Sequence, residues 1–157
     1  MKMFDHTHGT YVALELSPFC REFIGMFSDT TLRLDNPVDR DHLHTTVIYS
    51  RTPVPWAQYL DPNLVAEAYA THYEIFPTQE GKQCLVLRIE SPIICDLNAM
   101  LTRLGATTQY DGYNPHLTLS YDYRGDIRGL PLPSYNQLTF DRLTVEPLDE
   151  EYIPPSK

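Results

Sequence analysis

His44-Thr45-Thr46-Val47-Ile48-Tyr49 and His116-Leu117-Thr118-Leu119-Ser120-Tyr121 are two copies of one pattern, His-x-Thr-apolar-x-Tyr. Both are rich in β-branched and apolar residues, so each is expected to be a strand. Strand side chains alternate, which puts His44 with Thr46, and His116 with Thr118, on one face. Thr45, Val47 and Tyr49, like Leu117, Leu119 and Tyr121, are then expected on the core face. A bare His-x-Thr carries little information: six histidines among so many threonines produce roughly 0.6 chance matches. His8-Gly9-Thr10 is such a match and is set aside, because no apolar-x-Tyr follows it. Two copies on two strands, in equivalent places of a repeat, are another matter.

The repeat is visible on either side. Thr10–Leu16 alternates as a strand, with Val12, Leu14 and Leu16 on one face and Tyr11, Ala13 and Glu15 on the other. Ser17-Pro18 follows as a cap and first helical residue, and Phe19, Phe23, Ile24 and Phe27 continue at helical spacing to about Asp29. In the second half, Thr71–Thr78 and Lys82–Ile89 read as strands joined at Gln79-Glu80-Gly81. Ser91-Pro92 then opens a helix carrying Ile93, Leu97, Met100, Leu101 and Leu104, stopped by Gly105. Aligning the two Ser-Pro pairs sets Val12 against Val86 and brings His44 near His116, with offsets of 74 and 72 residues. A short helix is expected near Asn63–Tyr69 and a last strand or pair between Gln137 and Glu146. The fold class is α+β: a duplicated two-lobe arrangement, antiparallel sheets lining a central cleft, helices outside. Residues 1–157 make one domain, with 1–9 and 150–157 loosely held.

Composition bounds the function. The hydrophobic share is 42% and the charged share 21%, as in ordinary globular chains. No apolar run is long enough for a membrane span, and the N-terminus lacks a secretory h-region. Three widely spaced cysteines (Cys20, Cys84, Cys95) exclude a disulfide framework or zinc ribbon, and a reducing cytoplasm is the expected setting. All three are expected to be buried, inert thiols. The net charge of −9 provides no basic stripe for long nucleic acid. A small phosphorylated ligand in a local pocket remains compatible with it.

The residue types point to acid–base chemistry at a phosphodiester. Cleavage beside a ribose 2′-hydroxyl needs one base for that proton and one acid for the departing 5′-oxygen. Histidine serves either role at neutral pH. Two threonine hydroxyls supply hydrogen bonds where charge builds on the non-bridging oxygens. This scheme requires no metal or other cofactor, and it leaves open which histidine is the base. His6-Thr7-His8 and His42-Leu43-His44 are His-x-His pairs without a third ligand at a recognisable spacing. His42 and Asp41 are read instead as capping the start of the strand, and Trp56, between prolines, as holding a loop.

Paired His-x-Thr strands in a duplicated α+β chain of this size resemble the 2H phosphoesterase family, over about Thr10 to Glu146. Tyr11-Val12-Ala13, His44 through Ser50, Phe76-Pro77-Thr78 and Pro115 through Asp122 are similar, within it, to bacteriophage anti-CBASS phosphodiesterases. The resemblance implies a phosphodiesterase acting on cyclic di- or trinucleotide signals such as 3′,3′-cyclic GMP-AMP, with His44, Thr46, His116 and Thr118 catalytic. It implies a place in the host bacterial cytoplasm. It implies base-stacking roles for Tyr11 and Phe76, against the alternative of core or rim packing. Glu146 is read as a contact to a base edge or ribose, or as a solvated carboxylate. The Asp149-Glu150-Glu151 run is read as a solvated tail or a lid. A 2′,3′-cyclic or 2′-5′ oligonucleotide phosphodiesterase, and a non-catalytic nucleotide sponge, are the competing functions.

Overall fold

The computed structural model describes residues 8–108 and 112–148. His6 and Thr7, the Tyr110-Asp111 part of the loop before His116, and the acidic tail from Asp149 lie outside the described residues. Among the described residues there are six strands and two α-helices: β1 (Thr10–Leu16), α1 (Pro18–Phe27), β2 (His44–Ser50), β3 (Ala66–Pro77), β4 (Gln83–Glu90), α2 (Pro92–Arg103), β5 (His116–Ser120) and β6 (Gln137–Pro147). The strands form one antiparallel sheet in the order β2-β1-β6-β3-β4-β5. The α+β class and the strand–helix repeat are therefore present. The two halves, β2-β1-β6 and β5-β4-β3, share this sheet instead of each closing its own. They join where residues 66–69 of β3 pair with residues 137–140 of β6.

The histidine strands are the sheet's two edges, yet β2 and β5 pack against each other, so the sheet curls and brings its edges together. Tyr113, just before β5, donates to the Thr46 carbonyl at 2.6 Å and ties the edges across the gap. The outer edge of β5 is covered by the chain at Asn36–Val38, whose Val38 N–H donates to the Leu119 carbonyl at 2.9 Å.

One face of the sheet carries the main core. Val12, Leu14, Leu16, Leu85, Leu87, Leu117, Leu138 and Phe140 meet Ile24 of α1 and Ile94 and Leu101 of α2, all at most 1% exposed. Both helices start at their Ser-Pro pairs. Ser17 Oγ accepts from the Cys20 N–H, and Ser91 Oγ accepts from the Ile94 N–H while donating to the Glu67 carbonyl at 2.7 Å. Proline at the first helical position loses no bond, since that N–H has no partner within the helix.

Four expectations are corrected. Residues 63–69 do not form a helix: Asp61 and Asn63 make a side-chain turn, and β3 begins at Ala66. Ala66, Ala68 and Ala70 are buried and alternate with exposed Glu67 and Tyr69, a strand period that outweighs alanine's helix preference. Gly9, assigned to the loose N-terminus, is buried and its carbonyl accepts from the Leu148 N–H at 2.8 Å. A Cβ there would fall 2.1 Å from the Ser50 carbonyl oxygen, so only glycine fits. Cys95 is exposed, whereas Cys20 and Cys84 are buried. Finally, Ala13 and not Val12 is the register equivalent of Val86: Ala13 lies opposite Thr46 and Val86 opposite Thr118, while Val12 faces the main core.

Replacing Ser91 by alanine removes the cap of α2 and leaves the Glu67 carbonyl without its hydroxyl donor. A loss of about 1–2 kcal/mol of unfolding free energy is expected in urea denaturation. Ser17→Ala, which loses only the cap bond, is expected to cost less.

Candidate active site

A cleft of about 630 Å³ opens between the two edges. His44, Thr46, His116 and Thr118 all line it, as do Tyr11, Phe76 and Glu146. The alternation argument thus places the histidines and threonines correctly, but it fails for the tyrosines. In both histidine strands the pairing slips after the threonine. Val12 and Ala13 face Ile48 and Thr46, leaving Val47 as an extra residue. Leu85 and Val86 face Ser120 and Thr118, leaving Leu119 extra. These matching β-bulges reverse the alternation, so Ile48, Ser50 and Ser120 are buried and Tyr49 and Tyr121 turn into the cleft. The Tyr49 ring meets Tyr11 edge-on at 6.4 Å, and Tyr121 is half exposed.

The histidines are held alike. His44 Nδ1 lies 2.6 Å from the His42 carbonyl, and His116 Nδ1 lies 2.9 Å from the Asn114 carbonyl. A carbonyl only accepts, so each Nδ1 carries a proton and each Nε2 is the atom that exchanges one. His42, expected to cap the strand, contributes this backbone carbonyl. The Tyr11 hydroxyl lies 3.0 Å from His44 Nε2 and 2.9 Å from Thr46 Oγ1, so it links the two side chains. Burial raises the Tyr11 phenol above its ordinary pKa, so it stays a protonated donor.

His116 sits deeper. Its ring lies against the edge of Phe76, centroids 4.7 Å apart, and Phe76 is itself only 3% exposed. Phe76 packs with Cys84 and Val86 as a small second core beneath this half of the cleft. Burial is the main cause holding the His116 pKa below the ordinary imidazole value, with the charges of Arg88 and His44 acting in the same direction. The Asn114 carbonyl and, least, Glu74 oppose it. At neutral pH His116 is therefore an uncharged base with a free Nε2 lone pair. Glu146 is exposed on β6, beside Tyr11 in register. Asn98 and Thr102 of α2 line the far wall, with Asn98 Nδ2 donating to the Val47 carbonyl at 2.7 Å, at the bulge itself. Among the described residues, no group of three or more His, Cys, Asp or Glu side chains converges as a metal site.

A family model described as anti-CBASS protein Acb1 matches residues 8–154. The chain belongs to this family. Two relatives with the same description come from Vibrio phage KVP40 (31% identical, 98% of this chain and 96% of the relative) and Enterobacteria phage T4 (34% identical, 82% and 85%). Solved structures share the fold at lower identity. A phosphoesterase superposes with a TM-score of 0.60 at 16% identity, covering 96% of this chain and 94% of its own. Escherichia coli LigT complexed with 3′-AMP superposes at 0.56 and 17%, covering 90% and 95%. No helix among the described residues is long and apolar enough to cross a membrane.

Tyr49, Tyr121, Tyr113, Asn98 and Thr102 are cleft residues that pattern reading missed. For the first two the signal was the repetition of tyrosine at the same place in both motifs. A bulge cannot be read from alternation, because it is the interruption of alternation. Tyr11→Phe keeps the ring but removes the hydroxyl that joins His44 to Thr46. A hydrogen bond of about 0.5–1.5 kcal/mol translates to roughly a 2- to 10-fold fall in kcat, with KM little changed, in steady-state kinetics.

Proposed function

We propose that the protein is a phosphodiesterase that opens cyclic di- and trinucleotide signals, such as 3′,3′-cyclic GMP-AMP, and so disarms CBASS immunity in the bacterial cytoplasm. The observation that carries this reading is the matching histidine pair of an anti-CBASS family chain, each Nδ1 held by a backbone carbonyl so that proton exchange falls to Nε2. One neutral imidazole takes the 2′-hydroxyl proton. The 2′-oxygen attacks the phosphorus, the bond to the 5′-oxygen breaks, and the other imidazole, protonated, gives that oxygen its proton. The immediate product ends in a 2′,3′-cyclic phosphate, which water opens with the two roles reversed. Thr46 and Thr118 hydrogen-bond the non-bridging oxygens as charge gathers there. No step needs a metal.

Tyr11, Tyr49 and Tyr121 supply aromatic surface for the bases, and Glu146 accepts from a base edge or ribose. Phe76 lends its surface to His116 first, since its burial leaves little ring for a base. A net charge of −9 argues against long nucleic acid as the natural substrate.

Wild-type protein incubated with 3′,3′-cyclic GMP-AMP in excess EDTA is expected to linearise it, as read by chromatography. His44→Ala and His116→Ala are each expected to lose about 10²–10⁴-fold in rate, the double variant falling little further because the two act as a unit. A 2′-deoxy analogue at the scissile linkage is expected to bind and resist. Cleavage confined to linear 2′-5′ oligonucleotides would reassign the substrate. Binding without turnover would make the protein a sponge.

A further inference from the structure

The two histidines are held by matching bonds but stand beside opposite charges. In the antiparallel register, the residue opposite His44 on β1 is Glu15, and the residue opposite His116 on β4 is Arg88. Directly opposed residues leave the same face of a sheet, so each charge stands next to its histidine on that face, although neither lines the cleft. Each is also the near end of an ion pair reaching to the next strand. Glu15 pairs with Arg142 of β6 at 3.6 Å, and Arg88 pairs with Glu74 of β3 at 2.5 Å. The strands β2-β1-β6 and β5-β4-β3 are equivalent in the repeat, so the same device occurs twice with its polarity inverted.

The near member of each pair is the better buried. Glu15 is 29% exposed against 70% for Arg142, and Arg88 is 20% exposed against 36% for Glu74. Solvent therefore screens the far charge more than the near one, and each histidine feels a net sign. Arg88 is further fixed by donating to Asn114 Oδ1 at 2.9 Å, on the residue whose carbonyl holds His116. Its Nε is buried without a hydrogen-bond partner, a cost that its pairing with Glu74 offsets.

We propose that Arg88 and Glu15 are positioning residues that divide the labour, Arg88 making His116 the general base for the 2′-hydroxyl and Glu15 making His44 the general acid for the 5′-oxygen. The proposal rests on the phosphodiesterase reading above. The other charged and titratable groups around the pair do not undo it. His116 meets Glu74 and, bonded to Glu74, His72 from β3, and the His44 imidazole from β2. His44 meets Tyr11 from β1, with Arg142 and Glu146 one strand further on β6, and His116 from β5. Its own approach carries Asp39, Asp41 and His42. From α2, packed against β2, the cleft receives Asn98 and Thr102, both uncharged. Burial pulls His116 towards the neutral form, the same direction as Arg88.

The test reads both imidazoles separately. NMR titration of the Cε1–H signals in free protein, assigned with His44→Ala and His116→Ala, is expected to show His116 titrating below the ordinary imidazole value. Arg88→Gln should raise the His116 midpoint, because it removes a like charge from beside the imidazole. Glu74→Gln should lower it, because Arg88 is then uncompensated, and Arg88→Lys should leave it near the wild-type value. In the kcat/KM profile for 3′,3′-cyclic GMP-AMP, Arg88→Gln should move the acidic limb to higher pH, and Glu15→Gln the basic limb to lower pH. Opposite shifts from Arg88→Gln and Glu74→Gln are not a result that simple loosening of the fold produces. Should Arg88→Gln fail to fold, Glu74→Gln and Glu15→Gln decide the matter alone. Unmoved midpoints, or a basic limb that follows Arg88, would overturn the proposal. Wild-type protein that cleaves no cyclic dinucleotide would overturn the functional reading, while the NMR titration would still judge the charge assignment.

Discussion

Everything in the cleft depends on a short seam between β3 and β6. Only residues 66–69 and 137–140 pair there, yet this seam turns two three-stranded halves into one sheet. Both strands are longer than the seam and run on to serve their own half, β6 alongside β1 and β3 alongside β4. Because only their starts overlap, the halves diverge on either side of it and the sheet is free to curl. Small buried side chains permit this: Ala66 and Ala68 lie opposite Phe140 and Leu138, so the bulk at the joint comes from one strand. The edges thus approach each other without pairing. An aqueous cleft occupies the gap where an ordinary flat sheet would leave two unrelated edges.

The repeat, the Ser-Pro helix starts and both His-x-Thr strands were legible because each rests on local chemistry: a side-chain cap, a fixed proline φ, a period of two. The shared sheet was not legible, since pairing between β3 and β6 joins residues some seventy positions apart with no local signature. Nor were the bulges. Val47 and Leu119 are apolar and buried, and they look like ordinary core positions in either conformation. Their consequence is chemical, because they transfer Tyr49 and Tyr121 from the core side to the cleft. The inverted ion pairs were beyond reach for a third reason. Glu15 and Arg88 become equivalents only once register is known, and the register runs one residue off the sequence alignment that matched Val12 with Val86.

The bulge also explains why α2 matters to chemistry. An extra residue in an edge strand leaves a backbone carbonyl without its ladder partner, and a bare carbonyl beside a cleft invites water. Asn98 meets the Val47 carbonyl, and the Thr46 carbonyl next to it receives the Tyr113 hydroxyl. In the other half, Val38 closes the Leu119 carbonyl with a backbone N–H. The two halves solve one problem with different residues. The bulges match in position, but a side-chain amide meets one carbonyl and a backbone N–H the other.

An anionic substrate meets an unusual wall here. Among the described residues lining the cleft there is no lysine or arginine; the ionisable groups are the histidines, tyrosines, Cys84 and Glu146. Phosphate recognition must then rest on neutral donors and on whichever imidazole holds a proton. A fixed cation would bind the ground-state diester and the pentavalent transition state almost alike, and uniform binding of that kind does not raise kcat. Under the proposed division of roles a proton on His44 would behave differently, for it would be transferred as the 5′-oxygen departs and be of most use at the top of the barrier. Arg88 stands beside His116 but out of the lining, so the guanidinium would not compete for the phosphate while its charge still reaches the imidazole. The acidity of the chain as a whole works with this arrangement. A net charge of −9 would repel long polyanions at a distance, whereas a small ligand would meet the neutral donors of the cleft once inside.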